Sequence, residues 1–352
     1  MSLDNFVRKW IPSWIREEGP ESDVVLSSRV RLARNFVDLP FPHLASDTAL
    51  REVIKRLKNA VEVIKNHPPY QDLQLNPLNE MSGLDRLILV EKHLVSPQFI
   101  ENFRDRAVIL NGSETISIMI NEEDHLRIQC FSPGLELQKA WEEVNRLDDL
   151  LEEKLHFAFL EDKGYLTACP TNAGTGMRAS VMVHLPALAM TKQIGKVVNN
   201  VAKFGLTVRG LYGEGTEAFG NIFQISNQIT LGLKEEEIID NLYRVTKHVI
   251  EQERTMREGI MTHGKEGLLN KVGRAYGTLK YAHIISSQEA MTHLSDLRLG
   301  AALNLYPQVS KQAIDELIIL IAPAFLQKIM GQELGPEERD LKRAELIREK
   351  LS

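Results

Sequence analysis

The chain has 352 residues, 43% of them hydrophobic and 26% charged, which is globular composition with room for two domains. A formal net charge of −6 argues against a surface built for nucleic acid, and the longest apolar run, Leu317 to Leu326, is too short to span a membrane and contains Pro323. A soluble, cytoplasmic protein is expected. The two cysteines, Cys130 and Cys169, form no C-x-x-C pair, so neither a disulfide framework nor a zinc site is indicated, and no internal repeat is present.

Residues 1–21 hold Trp10, Trp14 and two prolines, too little for a domain, and read as a segment packed on one. From Val24 to Asn35 apolar and polar residues alternate, which predicts a strand with Arg29 and Arg31 on one face and Val30 and Leu32 on the other. Taken alone, such an arginine pair reads as a solvated face. Residues 47–66 carry Leu50, Val53, Ile54, Leu57 and Val61 at helical spacing, and the Pro/Asn-rich stretch 67–82 reads as loop. The type of the next run, L-D-R-L-I-L-V-E-K-H-L, is left open by its pattern. Asn111-Gly112 between A-V-I-L and T-I-S-I-M-I predicts a hairpin. The second strand enters N-E-E-D-H, Asn121 to His125, which by itself is a solvated turn, and the chain leaves as a third strand containing Cys130, a core position. A helix follows over 135–157.

The stretch from Ala168 to Ser180, A-C-P-T-N-A-G-T-G-M-R-A-S, is not explained by building a core. Gly174 and Gly176 allow a tight turn that brings amides and side chains close to a ligand, although an ordinary loop between strands has the same grammar. Beyond it come a strand, V-M-V-H-L, and a helix ended by Gly205. A strand, L-T-V-R-G, then a Gly-rich turn, L-Y-G-E-G-T-E, and a returning strand, N-I-F-Q-I-S-N, complete the series. This order predicts an α+β fold, an antiparallel sheet covered by helices. Past Lys234 the pattern is helical: one helix broken by Gly259, Gly264 and Gly267, then helices at about 268–285, 288–304, 310–330 and 336–350, with Pro323 kinking or splitting the third. The boundary falls near 255–260, between a domain of 22–256 and a helical domain of 260–352.

The P-loop, protein-kinase and dinucleotide motifs are all absent. Arginines nevertheless recur beside each irregular element, at Arg29, Arg31, Arg127, Arg178 and Arg209, and guanidinium forks match phosphate oxygens. Carboxylates stand nearby in sequence at Glu122, Glu123, Asp124 and Glu214. Cationic and anionic halves side by side suit transfer of a phosphoryl group from an anionic donor to a cationic acceptor.

In order, S-S-R-V-R, N-E-E-D-H-L-R, C-P-T-N-A-G-T-G-M-R-A-S and V-R-G-L-Y-G-E resemble the phosphagen (guanidino) kinase family, whose catalytic domain has a glutamine-synthetase-like antiparallel sheet. The match covers roughly 22–255. The resemblance implies that the five arginines grip the phosphates of ATP, within nucleotide-binding runs Ser27, Ser28, Arg29, Val30, Arg31; Arg178, Ala179, Ser180, Val181, Met182; and Arg209, Gly210, Leu211, Tyr212, Gly213. It places His93 by the adenine. Glu123 and Glu214 would hold the acceptor guanidinium, with Glu123 the favoured base, Cys169 against the acceptor and Asp124 beside it. Mg²⁺ is implied with ATP, and no protein metal site.

Two departures point to the family's bacterial protein arginine kinase branch, of the McsB type. Only some twenty residues precede Val24, where small-molecule members carry a helical domain, so an open site accepting arginine on a protein is expected. The added helical domain ends in R-D-L-K-R-A, and the resemblance makes Arg339, Asp340, Arg343 and Ala344 an allosteric phosphoarginine site; residues alone favour a solvated helix face there. Met119 stands where small-molecule relatives place a tryptophan near the base. The branch further implies protein substrates including a transcriptional repressor, an activator protein, a Clp ATPase, a stress-response role and a homodimer or higher homo-oligomer. Rival readings are a kinase for free arginine or another small guanidino compound, and a phosphoarginine-reading adaptor.

Overall fold

The computed structural model describes residues 10–210 and 218–352. Leu211, Tyr212, Gly213 and Glu214, with the rest of the Gly-rich turn, lie outside the described residues.

The strands are β1 (Val25–Arg34), β2 (Gln74–Pro77), β3 (Ala107–Leu110), β4 (Ile116–Ile120), β5 (Leu126–Pro133), β6 (Phe159–Leu160), β7 (Gly164–Tyr165), β8 (Met177–His184), β9 (Leu206–Gly210) and β10 (Ile222–Asn227). Eight of them form one sheet in the order β2-β3-β4-β5-β1-β8-β10-β9, and every neighbouring pair is antiparallel. β6 and β7 make a separate hairpin. Alternation along the strands sorts the side chains. Val30, Leu32, Ile128, Cys130, Ala179, Val181 and Ile225 go to one face, buried under the helices Asp47–Ile64, Leu137–Glu152, Ile194–Ala202 and Glu235–His263. The opposite face is polar at its centre.

Several local expectations need correction. The stretch 67–82 contains edge strand β2, where Pro77 sits at the strand end and loses little by having no N–H. Residues Gly83–Glu91, whose type the pattern left open, are helix. The last four residues of the 168–180 stretch already belong to β8. The helix from Glu235 runs unbroken to His263, past Gly259; Gly264 ends it, and Gly267 lies inside the next helix. A glycine costs a helix interior only about 1 kcal/mol. Here Glu253 accepts from the backbone nitrogens of Ala187 and Leu188 and pairs with buried Arg257, which holds the helix in place.

Five helices follow: Lys265–Tyr281, Ser287–Ala302, Lys311–Leu320, Pro323–Met330 and Pro336–Lys350, so Pro323 splits the expected third. They share a core with Ile222 of β10, against which partly buried Leu26 and Met182 pack. Arg298, fully buried, donates to the carbonyls of Ser22 and Asp23 and pairs with Asp315. Glu91 accepts from Ala324 and Phe325 at the start of Pro323–Met330. No helix among the described residues is long and apolar enough to cross a membrane.

Candidate active site

The polar face of the sheet gathers the arginines by register. Arg31 stands opposite Arg178 on β8 and Gln129 on β5, while Arg29 stands opposite Ser180 and Phe131. Arg127 opposes Ala33, and Arg209 opposes Gln224. Crowded positive charge has the expected electrostatic result. The Arg29 guanidinium is pushed down to about 10 by burial and then by Arg127 and Arg178. Burial, with Arg29, Arg127 and Arg178, holds Arg31 well below the usual range, and burial with Arg209 and Arg127 lowers Arg178. The Nε atoms of Arg31 and Arg178 are buried without a hydrogen-bond partner. An anion placed among these groups would relieve the repulsion and satisfy the donors.

Other donors are already engaged. Arg29 Nη2 donates to Gln224 Oε1 at 2.9 Å, and its Nε to Ser180 Oγ at 3.4 Å. Arg127 pairs with Glu122 at 2.6 Å and Glu123 at 2.9 Å, which brings the acidic turn to the edge of the cationic face. Glu122 is tied further to the Ser96 hydroxyl, whereas the Glu123 side chain is 44% exposed. Glu123 and Cys169 both act on Arg178 in the sense opposite to its arginine neighbours. The half-buried Cys169 sulfur lies 2.9 Å from Thr171 Oγ1.

Asp124 is built differently from Glu123. It is 1% exposed, and its Oδ1 accepts from Asn35 Nδ2 at 2.6 Å and from the Ala168 backbone nitrogen at 2.7 Å. The acidic turn, the end of β1 and the cysteine loop are thus tied at one oxygen. The loop is fixed again from behind. Thr230 Oγ1 donates to the carbonyls of Thr171 or Ala173, and Arg34, paired with buried Asp148, donates to the Thr175 carbonyl. Gly176, at φ +66°, lies where a Cβ would come within 2.7 Å of the Ala33 carbonyl oxygen, so the close approach requires glycine.

Beside this loop a cleft is lined by Thr171, Asn172, Arg178, Arg209, Asn227, Gln228 and Thr230. At the other end of the polar face, Trp14, Leu26, His93, Met182, Ile222, Asp315 and Ile318 line a small cavity of about 30 Å³. His93 has a left-handed backbone, φ +59°, and is pushed down to about 4 by burial and by Arg29.

The sequence-named residues therefore divide. Ser27, Arg29, Arg31, Arg127, Arg178, Ser180, Met182 and Arg209 belong to strand positions of the polar face, with Gly210 at the end of β9. Val30, Ala179 and Val181 turn to the helix-covered core, and Ser28 donates to the Gly134 carbonyl, so these side chains do not meet the cleft. Asn35, Gln224, Asn227 and Thr230 were not singled out by sequence; their importance lies in partners up to 195 positions away. Met119 is buried with Trp14, Leu94 and Phe131.

The C-terminal motif is not the open helix face its spacing suggests. Arg343 is 1% exposed, and donates to the carbonyls of Ile321 and Ile285 and to Asp340. Arg339 instead donates to Leu334 O, and Ala344 is core. The two arginines donate to different carbonyls, and the Arg343 guanidinium is engaged inside the fold.

Residues 52–256 match the model of the ATP:guanido phosphotransferase C-terminal catalytic domain, and residues 265–352 match the protein-arginine kinase McsB C-terminal domain. The chain belongs to the protein-arginine kinase family. Protein-arginine kinases of Desulforamulus reducens and Pelotomaculum thermopropionicum are 51% and 49% identical to it, covering 100% of this chain and 99% of each relative. The Geobacillus stearothermophilus protein-arginine kinase is 48% identical, over 100% of this chain and 96% of its own. Among solved structures, lombricine kinase matches with TM-score 0.60 at 26% identity, covering 71% of this chain and 72% of that one. The duplicated taurocyamine kinase of Schistosoma mansoni, solved with transition-state-analogue components, matches with TM-score 0.61 at 26% identity over 71% of this chain and 37% of its own. This likeness agrees with the expected antiparallel catalytic domain followed by helices.

Proposed function

We propose that this protein-arginine kinase moves the γ-phosphoryl group of ATP onto arginine side chains of proteins between the arginine face and the acidic turn. In this reading Arg29, Arg31, Arg127, Arg178 and Arg209 hold the triphosphate, with the base end toward His93 and Met182. The observation that carries it is the cluster of mutually repelling arginines, two with unsatisfied buried Nε atoms, ending at an exposed carboxylate.

A guanidinium is a poor nucleophile because its pKa exceeds about 12 and its lone pairs are delocalised. Glu123 accepts one N–H proton of the acceptor as the nitrogen attacks the γ-phosphorus; the N–P bond forms, the bond to the β-phosphate oxygen breaks, and ADP leaves with that electron pair. Glu214 is the second acceptor carboxylate by family resemblance, and Cys169 lies beside the acceptor. Asp124 holds the loops in position: its buried Oδ1 accepts from Ala168 and Asn35, and its Oδ2 is buried without a partner. Positioning and charge complementarity supply most of the rate, as in phosphoryl transfer generally.

Among the described residues no group of three His, Cys, Asp or Glu side chains is placed to hold a metal ion. Mg²⁺ bound with ATP would supply further neutralisation of phosphate charge, while Glu122 and Glu123 are held by Arg127. A cytoplasmic location, homo-oligomerisation, an activator, a repressor substrate, a Clp-type ATPase and phosphoarginine binding at Arg339–Ala344 are further parts of the reading that rest on family resemblance.

Glu123→Gln tests the division of labour. Transfer to protein arginine falls by about 10² to 10³, while ATP affinity measured by calorimetry stays at the wild-type value. Loss of ATP affinity instead would put Glu123 in the phosphate half.

A further inference from the structure

His93 closes the helix Gly83–Glu91 in a backbone conformation that glycine normally supplies. Its φ is +59°, its N–H donates to Val90 O at 2.9 Å, and the N–H of Leu94 reaches back to Leu89 O at 3.0 Å. In this kind of helix end the left-handed residue is usually glycine, which has no Cβ to strain. A histidine stays there only if its surroundings hold it, and both flanks do so. Before it, Glu91 accepts from the backbone nitrogens of Ala324 at 2.8 Å and Phe325 at 2.9 Å, in the first turn of Pro323–Met330. Lys92, 2% exposed, pairs with Glu114 at 2.6 Å and lies 5.7 Å from the centre of the Phe325 ring. After it, the Leu94 carbonyl accepts from Ser117 Oγ at 2.7 Å and from Gln129 Nε2. Ser117 and Gln129 belong to β4 and β5, so one flank is fixed to the sheet and the other to the C-terminal helices. Between them His93 lines the small cavity, with Met182 of β8 and Ile318 of Lys311–Leu320.

We propose that Glu91 is a positioning residue for the base of ATP: it anchors the turn at His93 to the helix Pro323–Met330, so that the C-terminal helices set the affinity for the base. The proposal rests on the reading above that puts the base end of ATP toward His93. A carboxylate at the start of a helix is favourably placed, and Glu91 binds two successive N–H groups, one with each oxygen. Removing it frees the start of Pro323–Met330 and one flank of His93 together. The turn then relaxes toward backbone angles that a histidine prefers, and the ring no longer meets the base. Arg29, Arg31, Arg178 and Arg209 stand on β1, β8 and β9, whose register is fixed by the sheet itself, so the phosphates are held independently of Glu91.

The test uses the full-length protein and calorimetric affinities for two probes, ATP and inorganic tripolyphosphate, which has the phosphates and lacks the base. Glu91→Ala is expected to weaken ATP about tenfold, the worth of one hydrogen bond or packing contact, and to bind tripolyphosphate within about twofold of wild type. Glu91→Gln keeps one acceptor oxygen and should lose about threefold for ATP alone. His93→Ala weakens ATP by itself. In that background, adding Glu91→Ala should cost no more than about a further twofold, because the two residues act through one contact. Wild-type ATP affinity in Glu91→Ala, equal losses for both probes, or an undiminished loss in the His93→Ala background overturns the proposal. If Glu91→Ala lacks the wild-type circular dichroism spectrum, Glu91→Gln decides by the same three comparisons. Failure of the base-end reading looks different: His93→Ala would then bind ATP as tightly as wild type.

Discussion

Asp124 Oδ1 lies 2.7 Å from the Ala168 backbone nitrogen, one residue before Cys169, and 2.6 Å from Asn35 Nδ2 at the end of β1. One buried oxygen therefore sets the distance between the two irregular elements that carry Glu123 and Cys169. Asp124→Ala removes the tie without touching the arginine face. The expected result is a fall in kcat of about ten- to a hundredfold with ATP affinity unchanged, because a misplacement of about 1 Å is enough to cost that much. Asn35→Ala breaks the same tie from the other side, so the double variant should be little worse than the worse single one. Additive losses would mean that the two residues act separately.

The sheet and the arginine set were legible because both are written locally: alternation fixes which face a strand residue takes, and the family's runs carry the arginines in order. Register then did what no single run could, setting Arg31 opposite Arg178 across 147 positions of chain. What stayed hidden depends on distant partners. Arg343 sits at helical spacing from Arg339 among acidic residues, as a solvated arginine would, yet its guanidinium is bound by carbonyls 22 and 58 positions away. Thr230 is an unremarkable threonine until the fold brings its hydroxyl to Thr171 and Ala173. Strand β2 was read as loop because Asn76 and Pro77 are poor strand formers, a preference that pairing with β3 overrides.

The small cavity next to His93 has walls from three parts of the chain, and Ile318 belongs to the C-terminal helices. If the base of ATP lies at this end, filling the cavity should weaken ATP and spare its phosphates. Ile318→Trp is expected to lower ATP affinity by about tenfold or more while inorganic tripolyphosphate binds as in wild type, since the five arginines are untouched. Parallel losses for both ligands would point to a general disturbance, and equal ATP binding would move the base elsewhere.

Acid should loosen the acidic turn through its own histidine. Buried His125 accepts the Phe36 N–H on Nδ1 and lies 3.0 Å from the Pro40 carbonyl on Nε2, which fits the neutral ring. Burial pushes it down to about 4 from a usual 6.5. Between those values the unfolded chain takes a proton that the folded chain refuses, so the stability present above pH 6.5 is lost as pH falls toward 4, at up to about 1.4 kcal/mol per pH unit. His93 and His184 are lowered too and act in the same direction. Asp124, raised by burial, acts oppositely. Melting curves from pH 7 to 5 should show a smaller decline for His125→Asn than for wild type. An identical decline would remove His125 from the account.

The last prediction separates the two arginines of the C-terminal motif. Arg343 donates to Ile321 O between the helices Lys311–Leu320 and Pro323–Met330, and to Ile285 O ahead of Ser287–Ala302. It therefore fixes the ends of three helices around one buried cation, whose charge is met by Asp340. Arg343→Ala leaves those carbonyls and Asp340 without their donor, and such losses in a buried site cost about 2–5 kcal/mol. Arg339 makes one backbone contact at the margin of the same helix, so Arg339→Ala should change stability by no more than about 0.5 kcal/mol. Because the helix Lys311–Leu320 also carries Ile318, the Arg343 variant should weaken ATP binding through the cavity wall, whereas Arg339→Ala should not. Phosphoarginine binding at this motif is then to be measured on Arg339→Ala, whose fold is intact; a loss in the Arg343 variant alone would report the melted scaffold rather than a lost contact. Equal melting temperatures for wild type and Arg343→Ala would show that its carbonyl contacts contribute nothing, and would return Arg343 to the role its spacing with Arg339 suggests.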